Sequence, residues 1–276
     1  MAITFHVPDT VIDSVLRKMK DSHLVHPAAT FNPNAEYGQR REVAYRDIDF
    51  LDRIGKTEHE EPIVDAAVRF LKERGIVDSA SSYDKASFLR FRDYLKATFT
   101  KRSWTSLSPT MERLFYMLTS LKRPRTSIEL GCFWGNTLAW FAGPCLGAAP
   151  LFIPERVYGV DINPDAIAMA KENFANLGNP QHVTILCEDA RETAKRLSGP
   201  FDFVYIETKA DNEDDLYLPL LKTLYDKLPK GAWIMAHDAT RYTMVDDFKG
   251  YLEFVRDTHH FSESITFDVD AFGVEL

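Results

Sequence analysis

The chain has 276 residues, a net charge of −8, and a composition that is 45% hydrophobic and 27% charged. That balance supports a sizeable core and sets disorder aside. The acidic excess argues against nucleic acid as the main partner, since such partners are gripped by basic faces that neutralise phosphates.

Arg40-Arg41, Lys101-Arg102 and Lys122-Arg123 are short basic pairs and read as solvated surface. The opening stretch MAITFHVPDT has no basic segment followed by an apolar run, so no secretory signal is expected. Nowhere does a run of ~18 apolar residues occur, so no membrane span is expected. The three cysteines, Cys132, Cys145 and Cys187, are odd in number and form no CxxC pair. They read as reduced thiols in a cytoplasmic protein.

The first hundred residues read as helices and loops. VPDTVIDSVLRKMKDSHL places Val11, Ile12, Val15, Leu16 and Met19 on one helical face. NPNAEYGQRREVAYRDIDF shows no period and is a candidate lid or packed loop, with Arg40 and Arg41 able to meet a substrate carboxylate or phosphate. EEPIVDAAVRFLKERG predicts a helix with Pro62 in its first turn, a buried stripe of Ile63, Ala66, Ala67, Phe70 and Leu71, and Gly75 as its stop. SYDKASFLRFRDYLKATF predicts another amphipathic helix. SPTMERLFYMLTSLK predicts a fourth, with Met111, Leu114, Phe115, Leu118 and Leu121 facing in.

From about Thr126 the pattern changes. TSIEL, RVYGV, HVTILC, FDFVYIE and AWIMA are branched apolar runs separated by helical patterns such as PDAIAMAKENFANLG and LYLPLLKTLYDKLPKG. Such alternation predicts a parallel sheet covered on both faces. SITFDVDAFGVEL reads as two strands joined by a tight turn, forming an antiparallel edge.

The stretch SIELGCFWGNTLAWFAG sets Glu129, Gly131 and Gly135 at the mouth of the first of these strands. In open α/β sheets ligands bind at the carboxyl ends of strands, and glycine lets the backbone turn tightly there. Asp161 ends the second strand, where a carboxylate can accept both hydroxyls of a ribose. Asp189 follows the third, where it can meet the amino edge of a purine. A dinucleotide site would carry G-x-G-x-x-G with a pyrophosphate on the helix N-terminus. Here the spacing is E-x-G-x-x-x-G, Phe133 and Trp134 fill the interval, and Glu129 would repel a pyrophosphate. A cationic nucleoside with an amino-acid end, S-adenosylmethionine, fits better.

These motifs resemble the class I S-adenosylmethionine-dependent methyltransferases. LSPTMERLFYMLTSLKRPRTSIELGCFWGNTLAW, VYGVDINPDAIAMAKENF, FDFVYIETKADN and KGAWIMAHDAT are similar to the small-molecule O-methyltransferases of the catechol and caffeoyl-CoA type, over roughly residues 108–276. The resemblance implies an α/β fold: a Rossmann-like, mostly parallel seven-stranded sheet with an antiparallel last strand. An N-terminal helical extension precedes it. Residues 106–276 would be the cofactor-binding domain and residues 1–105 a cap, lid or homodimer contact. Glu129, Gly131 and Gly135 would line the methionine end, with Trp134 inside the loop. Asp161 would hold the ribose, Ile162 beside it would also bind the cofactor, and Asp189 with Ala190 would bracket the adenine.

At the reaction floor this chain departs from the type. The family's magnesium ligands are an aspartate after strand four and an Asp-Asn pair after strand five; here Glu207 and His237-Asp238 stand in those places. Lys209 is displaced by one residue from the family's lysine. Three readings of His237 stay open: a ligand, with Glu207 and Asp238, to magnesium or manganese; a metal-free general base; or a histidine capping the strand end. The acceptor is expected to be a small-molecule oxygen. Transfer to nitrogen or carbon, a nicotinamide dehydrogenase and a non-catalytic cofactor-binding domain are the alternatives.

The run from Asp211 to Asp215 reads as a solvated helix start. His259 and His260 are adjacent, and adjacent helical residues diverge by ~100°, so they are not expected to share an ion. Trp140 and Phe141 read as core, and Tyr242 as a residue within reach of a substrate.

Overall fold

In a computed structural model, residues 2–11, 14, 57–100, 107–208, 216–238, 248–269 and 273–276 are described. Within them lie β1 (Ala2–His6), β2 (Thr126–Leu130), β3 (Arg156–Asp161), β4 (Val183–Cys187), β5 (Phe203–Ile206), β6 (Trp233–His237), β7 (Ser264–Asp268) and β8 (Val274–Glu275). They form one eight-stranded sheet in the order β1-β7-β8-β6-β5-β2-β3-β4. The pairings among β2 to β6 are parallel, whereas β8 runs antiparallel to both β6 and β7.

The mixed sheet and its antiparallel end match expectation, but the strand count is eight rather than seven. Ala2–His6, read as part of a helical extension, pairs in parallel with β7 along its whole length, Phe5 opposite Phe267. The hairpin predicted to be the edge is therefore inside the sheet, and β1 is the edge. Phe5 is buried against Phe70 and Phe267, which gives the strand its anchor. Five residues with one strongly apolar inward position are too short a signal to be read from period alone.

Helices bounded within the described residues are α1 (Thr57–Glu73), α2 (Lys85–Thr98), α3 (Pro109–Lys122), α4 (Asn136–Ala142), α5 (Pro164–Asn176), α6 (Ala190–Arg196), α7 (Tyr217–Leu224) and α8 (Lys249–Arg256). Alternation along the strands sorts them into two layers. Phe203, Tyr205 and Met235 face a core shared with α1 to α5. Ile128, Leu130, Val204, Ile206, Ile234 and Ala236 face a second core with α6, α7 and α8.

Two helices differ from their sequence reading. Helix α1 begins at Thr57, so Pro62 lies inside it rather than in its first turn. Its stop is as read: Gly75 takes φ +70°, and Gly75 N and Ile76 N donate to Lys72 O and Leu71 O at 2.9 and 3.0 Å. Of its expected stripe, Ala66, Ala67 and Leu71 are buried and Ile63 and Phe70 half-buried. Helix α3 is buried on every face from Thr110 to Ser120, because α1 and α2 cover the side that an amphipathic reading leaves to solvent. Ser108 caps its start, accepting from Met111 N, and Pro109 takes its first position.

Covering α3 buries charge. Arg113 is fully buried, with Nη1 donating to Glu61 Oε2 at 2.9 Å and to Tyr83 Oη at 3.1 Å. Arg92 donates to the buried Glu60 at 2.5 Å, and both guanidinium groups lie over the Phe88 ring.

Candidate functional site

From β2 the chain runs outward through β3 to β4, then returns to place β5 on the other side of β2. The reversal between β2 and β5 is where an open α/β sheet leaves a crevice at its carboxyl end. Glu129 to Gly135, Asp161, Glu207 and His237 all sit at that end.

The loop after β2 needs its glycines for backbone reasons. Gly131 has φ +97°, and a Cβ there would collide with the carbonyl oxygen of Glu207 and stand 2.8 Å from its carbon. Gly135 caps α4 at φ +79°, with Phe174 and Ala170 of α5 packed where its Cβ would be. Phe133 also takes a positive φ, of 43°, and stacks on Trp134 with ring centroids 5.9 Å apart. The close approach is thus of loop on loop, and it draws the ends of β2 and β5 together.

Glu129 is fully buried. Its Oε1 accepts from Thr137 Oγ1 at 2.5 Å, and its Oε2 has no hydrogen-bond partner. Burial pushes its pKa well above the free value, the Thr137 bond opposing and the Glu207 and Asp161 charges adding to the rise. A buried acceptor lacking a donor, at the mouth of a crevice, fits a ligand that brings a cationic donor.

Asp161 joins two turns. Its Oδ2 accepts from Phe133 N at 2.8 Å and its Oδ1 from Asn163 N at 2.9 Å. Each oxygen keeps a second lone pair for a hydroxyl. Ile162 beside it is 67% exposed, a large apolar side chain left uncovered where a planar base could lie. Asp189 caps α6 and is engaged by Arg191, whose Nη2 stands 2.6 Å from Oδ2; its carboxyl is held below the usual range, first by that side-chain bond. Ala190 is half-buried beside it, and Trp134 is half-buried in the loop.

At the floor, His237 Nδ1 stands 3.2 Å from Glu207 Oε1, and Tyr205 donates its hydroxyl to Glu207 Oε2. His237 is buried, its carbonyl accepts from Tyr217 Oη, and its ring meets Phe115 of α3 edge-on. Tyr205 is fully buried, and burial pushes its pKa well up, so it stays a donor. Asp238 takes φ +61°, a left-handed conformation unusual outside glycine. Among the described residues no group of three or more His, Cys, Asp or Glu is arranged to hold a metal ion.

Thr137, Tyr205 and the Phe133 amide were not singled out in the sequence. Tyr205 had a usable signal, since residues i and i+2 of a strand share a face and Tyr205 must lie beside Glu207. Lys209, Asp211 to Asp215, Tyr242 and the stretch 32–50 with Arg40 and Arg41 lie outside the described residues. His259 bonds Asp257 while His260 stacks on Phe254 with centroids 4.1 Å apart, so the pair diverges. Trp140 and Phe141 are core, and the three cysteines are free thiols. A cleft of about 660 Å³, lined by Lys122, Trp233 and Ser264, lies at the opposite end of the sheet, among the amino ends of β6 and β7. No described helix is long and apolar enough to cross a membrane.

Residues 128–239 match a family model described as a methyltransferase domain. No curated protein matches the chain. Among solved structures, the chain is similar to the S-adenosylhomocysteine-bound methyltransferase PaMTH1 of Podospora anserina, at 18% identity and TM-score 0.51, covering 78% of this chain and 94% of that one. It is also similar to a candidate caffeoyl-CoA O-methyltransferase from Staphylococcus aureus, at 13% identity and TM-score 0.51, covering 77% and 97%. These likenesses are of fold, and the sequence match lies over β2 to β6, the strands that carry Glu129, Asp161, Glu207 and His237. Over residues 128–239 the chain is thus similar to a methyltransferase domain, carried on a fold that these solved methyltransferases share.

Proposed function

We propose that the chain transfers a methyl group to a hydroxyl oxygen of a small molecule, with His237 as general base and Glu207 as the carboxylate that orients it. The observation that carries this reading is the 3.2 Å approach of His237 Nδ1 to Glu207 Oε1 beside the glycine-rich loop. S-adenosylmethionine, when bound, supplies a methyl group on a sulfonium centre. S-adenosylhomocysteine in the Podospora anserina neighbour supports that assignment.

The side chains present fit such a cofactor. Glu129 Oε2 offers an acceptor to its ammonium, Asp161 offers free lone pairs to its ribose, and Ile162 an apolar surface to its base. Glu207 on Nδ1 fixes the ring tautomer and makes Nε2 the basic atom. Tyr205 holds Glu207 in place. Taking the acceptor's proton at His237 matters most for a hydroxyl, whose neutral form is a poor nucleophile, whereas a neutral amine already presents its lone pair. That difference favours oxygen over nitrogen.

The described side chains do not fit a divalent metal. Glu207 is committed to Tyr205 and His237, and no third donor of theirs converges on it. No step is routed through a metal. The helices before residue 106 are read as a cap over the acceptor or a dimer contact.

The test is calorimetric titration with S-adenosylhomocysteine, followed by product assays over catechols, hydroxylated amino acids and sugars. One-site binding weakened about 10- to 100-fold by Asp161→Ala is expected, the size of a lost charged hydrogen bond. A folded chain that binds none would overturn the cofactor. Full turnover in His237→Ala would remove the base.

A further inference from the structure

Two adjacent residues of α5 each touch both the glycine-rich loop and the stretch that follows α2. Asn173 is fully buried. Its Oδ1 accepts from Thr100 N at 2.8 Å, and its Nδ2 donates to Thr100 O at 2.8 Å and to Trp134 O at 3.0 Å. Phe174 meets Phe99 edge-on at 6.3 Å and packs against Gly135. Nearby, Tyr94 Oη donates to Asn176 O at 3.2 Å.

A buried amide with no task beyond filling a core would take partners wherever they were nearest, commonly in its own helix. None of these Asn173 bonds stays within α5. They reach 73 residues back to Thr100 and 39 residues back to Trp134. The bond to Trp134 O fixes the plane of the peptide between Trp134 and Gly135. The direction of the loop's amides at the start of α4 follows from that plane.

We propose that Asn173 is a positioning residue for the cofactor loop, coupling it to the strap Thr98–Thr100 at the end of α2. The inference rests on the S-adenosylmethionine reading above. Because the coupling is a shared set of bonds, strap and cofactor reinforce each other: whatever loosens Thr100 weakens the cofactor, and a bound cofactor tightens Thr100.

The experiment is a cycle of Asn173→Ala, Thr100→Pro and the double variant, each titrated with S-adenosylhomocysteine by calorimetry and checked for cooperative unfolding. Proline deletes the Thr100 N–H, and Phe99 already holds the extended φ −105°, ψ 127° that a following proline requires. Asn173→Ala is expected to weaken binding about tenfold and Thr100→Pro about threefold, the scale of one or two net hydrogen bonds. The double variant is expected to lose no more than Asn173→Ala alone, since Thr100 acts through Asn173. Should Asn173→Ala not fold, Asn173→Asp keeps the shape and loses both donated bonds. Binding within twofold of wild type in a folded Asn173 variant, or losses that multiply in the double, would overturn the proposal. Wild-type chain that binds no S-adenosylhomocysteine would instead overturn the cofactor reading, and the proposal with it.

Discussion

Thr137 donates its hydroxyl proton to Oε1 of the fully buried Glu129, and Oε2 of the same carboxyl has no hydrogen-bond partner. One bond does not offset the loss of water, so the folded pKa lies well above the free value of 4.5. The native state thus holds this proton more tightly than the unfolded chain. Stability from this group is fully present below the unfolded pKa and is lost as pH rises through the folded pKa. Glu129→Gln removes the titration. Urea unfolding of ligand-free protein, from about pH 4 to about pH 9, is expected to show the variant gaining on the wild type as pH rises. A difference that stays constant across that window would show that Glu129 does not titrate there.

A cation placed against Glu129 reverses the balance, because an opposite charge favours the carboxylate. Binding of S-adenosylhomocysteine, whose ammonium would face Oε2, is therefore expected to expel a proton at pH values where Glu129 is protonated. Calorimetry in two buffers of different ionisation enthalpy reads that proton directly. The release is expected to vanish in Glu129→Gln, with affinity reduced about tenfold or more. Equal apparent enthalpies in both buffers for the wild type would contradict the assignment of Oε2 to the ammonium.

The sheet was legible because its strands are continuous apolar runs with helical patterns between them, and TSIEL, RVYGV and AWIMA each became a strand. The strand ends were legible for the same reason: an acidic residue closing an apolar run announces Glu129 and Asp161. Ala2–His6 was not, since a short strand at an edge is specified by its partner β7 rather than by its own period. Pair geometry was not legible either. That His237 turns to Glu207, or Asp189 to Arg191, depends on how neighbouring ends are juxtaposed. Asn173 offered a signal that went unread. It occupies a buried position with Ala166, Ile167, Ala170 and Phe174, a polar side chain on the apolar stripe of α5.

Gly131 joins the glycine-rich loop to the backbone of Glu207. A Cβ at φ +97° would be strained and would strike the Glu207 backbone, not the end of a flexible side chain. Gly131→Ala is expected to cost roughly 2 kcal/mol or more in urea unfolding and to move Glu207 away from His237. Turnover should fall further than stability alone explains, measured at a temperature where the variant is folded. Unchanged turnover in a folded variant would show that the contact does not position the floor.

Arg113 holds the layer of α1 and α2 to α3. Its removal leaves Glu61 and Tyr83 without that donor and Glu60 facing Arg92 alone. Burial already raises the Glu60 pKa against the pull of both guanidinium groups. Arg113→Met, which keeps volume but not charge, is expected to destabilise by roughly 3–5 kcal/mol, the usual cost of breaking a buried pair from one side. Arg92 still pairs with Glu60 in that variant, so adding Glu60→Gln should cost more again, since it strips the buried Arg92 of its carboxylate. A double variant as stable as the single would show that the Arg92–Glu60 pair does not help to hold this layer.

Tyr205 separates the positioning of Glu207 from its presence. Tyr205→Phe keeps the ring packed against Phe115 and Phe141, centroids 5.1 and 5.8 Å away, and deletes only the hydroxyl. Glu207 then loses a donor while keeping His237, and its carboxylate is free to turn. With an acceptor in hand, kcat is expected to fall about tenfold with S-adenosylhomocysteine affinity unchanged, since the hydroxyl acts on the base and not on the cofactor. A loss of cofactor affinity equal to the loss of kcat would place Tyr205 in the fold of the crevice rather than in the chemistry at its floor.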